Sequence, residues 1–592
     1  MRRCLLLISI LVGAGALAAP AVGAAPDPGA ISAGALAGVS ALQRDDGLFD
    51  DPTGRVVGSS GLPTLAFGAL HADENDPHPS PARLALARAT LARGSGATVI
   101  LRWPLAMIAA DELTSLPAAD RTELRGRIAS WATLHAAGIA DRCYRNPACF
   151  NNYKLADAVL NLELARSGVR SDTPGTRLHD PVALRRRALS WLESALPAAA
   201  PATATVAVPG RRAERATILS DPGTLPLAYA SLCTAWAVRA TELAAPAAAP
   251  RLRLLTRHAL WGLVGVAAPD GEVSWSGRGQ DQVWSLAATL YAAAAGSAQF
   301  AASDPVLAAR LRRLADVELG ALGDRLHDGA LQVLPAGNDQ LSGLDHYYSA
   351  VGSTGLALTW LELARDALPD PAAPRLALPS EIDRATFSDP ARSGLLARRV
   401  GATWIGLRLR RVHSFDPRDD FGLARVLRHR DDGWHEERPE RPAPAGRGRA
   451  PGAGPLLVQG GRQFWPAATG WRPIANGVEL SGAWHARDGR SRPARWRVTA
   501  SASGVALGTA CPRGGAVQVT DWLPRRGTLE RGEQFAARAG YRIRTSSRMT
   551  LRPLATRYAN GRQPSLAGVR VVVACRRPWT TLRWSGGALA AG

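Results

Sequence analysis

The sequence predicts two unlike domains, an all-helical domain followed by an antiparallel β domain. Three observations predict this division. Up to about residue 385, apolar residues recur at spacings of three and four between Pro, Gly and Asp clusters, as in helices. Beyond about residue 390, short alternating runs are separated by turn residues, as in strands. The length of 592 residues is sufficient for two large hydrophobic cores.

Residues 1–25 predict a secretory signal peptide. A basic start is followed by an apolar stretch from Cys4 to Ala19 and by small residues near Ala25, where a signal peptidase cuts. Charged residues interrupt every later apolar run before it reaches the length of a transmembrane helix. We therefore expect a secreted, extracellular protein with no membrane span.

Five cysteines follow the predicted signal peptide, and export permits disulfides. The sequence allows Cys143 to pair with Cys149 and Cys511 to pair with Cys575, which leaves Cys233 in an apolar helix as a free thiol. The spacing of these cysteines does not match a metal site. We expect neither a metal ion nor a cofactor.

Residues 26–385 predict a ring of helical hairpins, an (α/α) toroid. The periodic segments lie near 81–93, 104–116, 121–138, 151–167, 181–196, 224–243, 250–266, 281–296, 304–325 and 349–367. Alternate helices, those that open at Asn151, Pro226, Gln280 and Tyr348, follow polar and aromatic clusters spaced by roughly 60 to 70 residues. If each hairpin gives one inner helix, the four clusters meet at one end of the ring and form a cleft. The alternative is four unrelated caps and loops.

Residues 390–592 predict an antiparallel β-sandwich of ten or more strands. Within this domain, residues 438–455 are poor in apolar residues and rich in Pro, Gly and Arg, which predicts a long loop or a disordered insert.

The positive charge is concentrated in the predicted β domain. From Ala391 to Gly592 there are 36 arginines and 13 acidic residues, whereas the first 390 residues hold 35 basic and 37 acidic residues. Such an excess favours a polyanionic partner, and export favours an acidic polysaccharide over nucleic acid. A coding bias towards arginine is the alternative explanation, since Lys154 is the only lysine in the chain.

A helical toroid followed by a β domain in an exported chain resembles the polysaccharide lyases of the chondroitin/hyaluronate lyase and heparinase II/III-like group. Two local motifs add to this resemblance. Asn151, Asn152 and Tyr153 resemble the Asn-aromatic motif of those lyases, which supplies an Asn to the substrate carboxylate. The segment 270–273, Asp-Gly-Glu-Val, resembles their Asp-Gly-x-aromatic motif. In the family a His follows closely, whereas this chain has Ser276 and Arg278 there, which leaves the general base open.

The resemblance implies β-elimination at a uronic acid. Amide or guanidinium groups must neutralise the substrate carboxylate, while Tyr or His side chains transfer the protons. We expect four catalytic residues: Asn152, Arg278, His346 and Tyr347. We expect seven substrate-binding residues: Asn151, Tyr153, Lys154, Trp275, Gln280, Trp284 and Tyr348.

Structural roles compete with several of these assignments. Asn152 also suits a helix cap, and the two tryptophans also suit packing anchors. A structural histidine bonded to Asp345 competes with a base at His346. The segment 221–223, Asp-Pro-Gly, predicts a helix-start turn.

Two other functions compete with a lyase. The first is a glycoside hydrolase on an α/α barrel, which needs two carboxylates and for which the candidates are Asp270, Glu272, Asp281 and Asp345. The second is a non-catalytic protein that binds acidic glycans or the cell wall. The sequence predicts neither the polysaccharide nor the oligomeric state.

Overall fold

The structure, a computed structural model, describes residues 26–46, 48–57, 62–74, 151–168, 180–244, 249–338, 340–345, 348–411, 416–444, 453–563 and 565–586, together with the single residues 103, 107, 118, 119, 122, 126 and 149. The predicted signal peptide and the predicted helix at 81–93 lie outside these residues. The predicted helices at 104–116 and 121–138 fall outside them except at single positions.

The first part of the chain is mainly helical, as predicted. Its described helices are α1 (Pro28–Ser40), α2 (Leu62–Glu74), α3 (Asn151–Ser167), α4 (Pro181–Ser190), α5 (Leu196–Ala199), α6 (Leu227–Ala244), α7 (Pro250–Val266), α8 (Val283–Phe300), α9 (Pro305–Gly323) and α10 (Ala350–Ala367). A π-helical turn, Trp191–Ala195, joins α4 to α5. Within the described helices none is long and apolar enough to cross a membrane.

The helices that follow the polar clusters pack side by side. Helix α3 packs on α6, α6 on α8, α8 on α10, and α10 on α2, while α4, α7 and α9 pack behind this row. This order is the inner and outer alternation that the sequence predicts for a toroid. A large apolar core, rich in alanine and tryptophan, fills the space between the two layers.

Short strand pairs interrupt the helical part. Two hairpins stand alone, β1 (Phe49–Asp51) with β2 (Arg55–Val57), and β5 (Leu326–His327) with β6 (Ala330–Leu331). A third hairpin, β3 (Ala204–Ala207) with β4 (Glu214–Ala216), joins a larger sheet. The sequence did not predict these strands, because each is shorter than a recognisable alternating run.

The second part of the chain is an antiparallel β domain, as predicted. A seven-stranded sheet has the order β11-β10-β9-β8-β7-β3-β4. Its later strands are β7 (Thr386–Asp389), β8 (Leu395–Val400), β9 (Thr403–Arg408), β10 (Gly422–Arg430) and β11 (Gly433–Arg438). Helix α7 lies against this sheet, and glycines allow the close approach: a Cβ at Gly262 would lie 2.2 Å from the Thr217 carbonyl oxygen.

A thirteen-stranded sheet contains the rest of the β domain, in the order β12-β22-β23-β18-β13-β14-β15-β16-β17-β24-β21-β20-β19. Its strands are β12 (Ala443–Pro444), β13 (Leu456–Gln459), β14 (Arg462–Ile474), β15 (Gly477–Ala486), β16 (Ser491–Ser501), β17 (Gly504–Ala510), β18 (Gly515–Pro524), β19 (Glu530–Arg531), β20 (Phe535–Arg538), β21 (Tyr541–Thr545), β22 (Met549–Ala559), β23 (Leu566–Ala574) and β24 (Trp579–Ser585). The two large sheets share a second apolar core.

The disulfide predictions are partly tested. Cys511 and Cys575 form a disulfide, and Cys233 is a buried free thiol, both as predicted. Cys149 is also disulfide-bonded. The predicted partner, Cys143, lies outside the described residues.

The segment 438–455 differs from a solvated loop over its described part. Arg438, Glu440 and Arg441 are all buried, and β12 pairs with β22. The guanidinium of Arg441 donates to the backbone carbonyls of Asp420 and Phe421, so hydrogen bonds replace the missing apolar contacts. Residues 445–452 lie outside the described ranges.

Candidate active site

Helix α3 begins in a buried polar environment. The Asn151 side-chain amide donates to the Ser220 carbonyl oxygen at 2.8 Å, which ties this helix end to the loop before α6. The Asn152 side-chain oxygen accepts from the Tyr153 N–H at 2.6 Å. Both asparagines are buried. Each therefore has a defined local contact at the helix start.

Asp221 caps α3 from the neighbouring loop. Its carboxylate accepts from the Asn152 N–H at 3.0 Å and is only 1% exposed. Burial raises the pKa of the Asp221 carboxyl to about 6, although the Asn152 N–H and the Arg278 guanidinium act in the opposite direction. The second carboxylate oxygen, Oδ2, accepts no hydrogen bond among the described residues and lies 3.8 Å from the Arg278 guanidinium.

Arg278 enters the site on a glycine-flanked loop. Gly277 and Gly279 both have positive φ values, 91° and 76°. A Cβ at Gly279 would lie 2.9 Å from Ala228 and 3.0 Å from the Trp284 ring, so the loop needs glycine to pack this closely. The Arg278 side chain is one third exposed, which keeps a cation at the surface of the site.

Two tyrosines from different helical hairpins form a hydroxyl pair. The Tyr229 and Tyr348 hydroxyls are hydrogen-bonded to each other. The Trp284 ring contacts both, with ring centroids 5.7 Å from Tyr229 and 6.1 Å from Tyr348. The Arg278 guanidinium lies 5.3 Å from the Tyr229 ring centroid, within the range of a cation–π interaction.

Tyr153 and Lys154 complete the group. Burial and the Asp221 carboxylate raise the pKa of Tyr153, while Arg278 acts to lower it. Burial lowers the pKa of Lys154, and Asp221 acts against that change. Both side chains therefore respond to the same carboxylate.

These residues define what we call the cleft cluster: Asn151, Asn152, Tyr153, Lys154, Asp221, Tyr229, Arg278 and Tyr348. The four polar clusters of the sequence thus meet in space, since the cleft cluster draws residues from all of them. Tyr153, Arg278 and Tyr348 are partly exposed, and the other members lie beneath or beside them.

The β domain braces two loops of this site. The Gly279 N–H donates to an Asp345 carboxylate oxygen at 3.0 Å. The Arg418 guanidinium donates to the same carboxylate at 2.7 Å and 3.3 Å. The Arg408 guanidinium, wholly buried, donates to the Ser276 hydroxyl at 2.7 Å. The loops that carry Arg278 and Tyr348 are therefore held by arginines of the β domain.

Three further sequence candidates are buried next to the cleft cluster. Trp275 is fully buried, donates to the Val266 carbonyl oxygen at 2.8 Å and contacts the Trp404 ring. The Gln280 amide donates to the Trp275 carbonyl oxygen at 3.2 Å. Trp284 is also buried and supports the hydroxyl pair. These positions favour packing over sugar stacking for both tryptophans.

Two predicted catalytic residues, His346 and Tyr347, lie outside the described residues. Their neighbours on either side, Asp345 and Tyr348, are described. Asp345 accepts from the Gly279 N–H in the loop that carries Arg278, and Tyr348 is hydrogen-bonded to Tyr229.

Three of the four carboxylates that suit a hydrolase are held in ion pairs with arginines that are not part of the cleft cluster. Asp270 receives two hydrogen bonds from Arg425, at 3.0 Å and 2.5 Å. Asp281 accepts from Arg562 at 3.2 Å. Glu272 lies 3.7 Å from Arg325. Together with Glu318, Glu436 and Glu440, these groups form a buried network between the helical and β domains.

The sequence missed two members of the cleft cluster. Asp221 was read as part of a turn, and Tyr229 sits inside an apolar helical pattern. A carboxylate at the opening of one of the four polar clusters was the available signal for Asp221. Among the described residues, no group of three or more His, Cys, Asp or Glu side chains is arranged to hold a metal ion.

The sequence matches no protein-family model, and no curated protein matches it. Several solved structures have a similar backbone arrangement. A heparinase III has 10% identity and a TM-score of 0.43, over 86% of this chain and 70% of that chain. A Streptomyces coelicolor chondroitin AC lyase variant has 14% identity and a TM-score of 0.41, over 97% of this chain and 81% of that chain.

An α-1,6-mannanase from Salegentibacter is also similar, with 12% identity and a TM-score of 0.40, over 58% of this chain and all of that chain. Such identities do not transfer an activity, so the function rests on the residues of the cleft cluster.

Proposed function

We propose that the protein is a secreted polysaccharide lyase that cleaves a uronic-acid-containing polysaccharide by β-elimination. One observation carries this proposal: the hydrogen-bonded hydroxyls of Tyr229 and Tyr348 lie beside a partly exposed guanidinium, that of Arg278. Proton transfer and carboxylate neutralisation are the two tasks of this reaction, and these side chains supply both.

The first step removes the proton from the carbon next to the uronate carboxylate. That proton is acidic only when the carboxylate charge is neutralised, which is the role we assign to Arg278 and Asn152. A tyrosinate then accepts the proton. We assign this role to Tyr229, whose hydroxyl is hydrogen-bonded to that of Tyr348 and whose ring centroid lies 5.3 Å from the Arg278 guanidinium.

The second step breaks the bond between the sugar ring and the glycosidic oxygen. The electron pair left on the carbon forms the new double bond, and the departing oxygen takes a proton. The hydroxyl pair suits this exchange, since one tyrosine accepts a proton while its partner holds one to donate. We assign substrate binding to Tyr153, which is also partly exposed, together with Lys154.

The site fits elimination better than hydrolysis. A glycosidase needs two carboxylates across the scissile bond, about 5 to 10 Å apart. Within the described residues, the cleft cluster contains one carboxylate, Asp221, which is buried and bonded to the Asn152 N–H. Asp345 is occupied by Arg418 and the Gly279 N–H.

The test is an incubation of the purified chain with chondroitin sulfate, hyaluronan, heparan sulfate and polygalacturonate. We expect one of them to give ultraviolet absorbance of an unsaturated uronate, in step with new reducing ends. Tyr229→Phe should lower kcat by about 10²- to 10⁴-fold, because it removes the proton-transfer group.

Tyr541→Phe is the matched control, since Tyr541 is a buried tyrosine of the β domain whose hydroxyl contacts Asp521. It should leave turnover unchanged. New reducing ends without the ultraviolet product would establish a hydrolase and refute the elimination. Retention on these polymers without any turnover would instead support the non-catalytic binding protein.

A further inference from the structure

A cavity of about 460 Å³ lies in the β domain where its two large sheets meet. Strands β10 and β11 supply one wall, and the turn before β17 together with β21 and β24 supplies the other. Its ten lining residues are Arg428, Arg430, Glu437, Ala502, Ser503, Arg542, Arg544, Arg583, Ser585 and Gly586. We call this cavity the arginine pocket.

The charge of the arginine pocket is strongly unbalanced, with five guanidinium groups and one carboxylate. Glu437 is buried and accepts from the Arg428 guanidinium at 3.0 Å, and it lies 3.7 Å from Arg430. These two arginines also hold the sheets together, since Arg428 donates to Ser501 and Arg430 to Gly586. The Glu437 carboxylate therefore neutralises arginines of its own wall of the pocket.

The opposite wall carries the uncompensated charge. Arg583 donates to the Ser503 hydroxyl at 2.9 Å, and the Arg542 guanidinium lies 5.7 Å from the Phe535 ring centroid. The Arg544 side chain is exposed and forms no hydrogen bond or ion pair with the described residues. These three side chains have no acidic partner in the described part of the chain.

Strand register places two of these arginines directly opposite each other. In the antiparallel pair of β21 and β24, Arg544 faces Arg583, and the buried Ile543 and Trp584 fix that register. Like charges directly opposite on a sheet destabilise it. An anion between the two guanidiniums removes this repulsion and adds charge-assisted hydrogen bonds.

We propose that the arginine pocket is a second polysaccharide-binding site, which holds the carboxylate or sulfate groups of an acidic saccharide segment away from the catalytic cleft. The choice of polymer rests on the proposed function, whereas the affinity for an anion rests on the pocket alone. The lining has no aromatic side chain on which nucleobases would stack, and its serine hydroxyls suit sugar hydroxyls.

The experiment measures the binding of short oligosaccharides to the full chain by calorimetry, in the Tyr229→Phe variant so that turnover does not interfere. The probes are an oligogalacturonate for carboxylate, a heparin oligosaccharide for carboxylate with sulfate, and a neutral malto-oligosaccharide. The double variant Arg544→Gln/Arg583→Gln removes the facing pair. Arg576→Gln/Arg577→Gln is the matched control, because those arginines are exposed at the other end of β24.

We expect the facing-pair variant to bind at least one acidic probe about tenfold more weakly or worse, and the control to bind within about twofold of the parent. The neutral probe should show no difference. The thermal midpoint of the facing-pair variant should equal or exceed that of the parent, which shows that it folds. The acidic probe should raise the midpoint of the parent more than that of the variant.

Equal affinity of the facing-pair and control variants for both acidic probes overturns the proposal. Tighter binding of a single-stranded DNA oligonucleotide than of either acidic probe, lost in the facing-pair variant, overturns the assignment to polysaccharide. A failure of the lyase assay with pocket binding intact refutes only the proposed function. The difference between the two acidic probes identifies the anionic group.

Discussion

Replacing Asp221 by Asn should stabilise the protein at neutral pH while it impairs the site. The Asp221 carboxyl has a pKa of about 6 in the folded chain against 3.8 as its ordinary value, and burial is the main cause. A carboxyl whose pKa is raised on folding binds its proton more tightly in the folded state. The free energy of unfolding therefore falls as the pH rises from about 4 to about 6, and stays level above that.

The size of this effect follows from the two pKa values. Between pH 4 and pH 8, ionisation of Asp221 should lower the free energy of unfolding by about 2.5 kcal/mol. Asn resembles the protonated carboxyl in shape and still accepts the Asn152 N–H. The gain in stability of Asp221→Asn over the parent should thus be about 2.5 kcal/mol larger at pH 8 than at pH 4.

Denaturant unfolding of both chains across this pH range measures the difference. Asp488→Asn is the control, since Asp488 carries an exposed carboxylate in the turn after β15 of the β domain. The same two chains should differ in turnover. The turnover of the parent should change as Asp221 ionises near pH 6, because its charge lies 3.8 Å from the Arg278 guanidinium, and the variant should lack this change. The role of Asp221 in the cleft cluster would be refuted if two results held together: the free energy of unfolding of the variant changed with pH as that of the parent does, and the pH dependence of turnover was the same in both.

Three further predictions concern other described residues. Arg278→Gln should lower kcat by about 10²- to 10³-fold with a smaller change in KM, measured on the polymer that the parent cleaves. Glu318 is buried, and burial raises its pKa well above the usual range, so the parent should lose stability as the pH rises. Glu318→Gln should reduce this loss, measured as thermal midpoints across the pH range. The control Glu533→Gln, at an exposed position, should not. Arg425→Met should lower the free energy of unfolding by about 2 kcal/mol, because it removes two hydrogen bonds to the partly exposed Asp270 and leaves a 3.5 Å contact with Arg562 as its ion pair. An unchanged denaturation midpoint would contradict this.

The helices were predictable because their signals are local. The predicted segments at 250–266 and 349–367 match α7 (Pro250–Val266) and α10 (Ala350–Ala367) at or within one residue of each end. Helix α9 starts at Pro305 after Asp304, whose carboxylate accepts from the Leu307 N–H. A capping residue, a proline and an apolar period are all written in a short stretch of sequence.

The cleft cluster was only partly predictable because its contacts are not local. The recurrence of polar clusters indicated that Asn152, Arg278 and Tyr348 come together. The same sequence pattern, Asp-Pro-Gly, fits both a turn and a buried carboxylate, so Asp221 was missed. Tyr229 follows the apolar period of α6, and only the packing of α6 against α8 brings its hydroxyl to that of Tyr348, which precedes α10.

The net charge of the β domain predicts attraction to a polyanion, but it does not distinguish buried arginines from exposed ones. Arg408, Arg418 and Arg425 are buried in contacts that hold the β domain to the loops of the helical domain. Such arginines cannot attract a distant polymer, since their charge is neutralised by nearby carboxylates and carbonyls. Arg544 and Arg583 are exposed in a cavity whose one carboxylate, that of Glu437, is paired with Arg428 on the opposite wall. The arginines of the β domain therefore fall into two groups: buried ones that brace the loops of the cleft cluster, and exposed ones that we propose hold an anionic ligand. Substitutions in one group should leave the effect of the other intact.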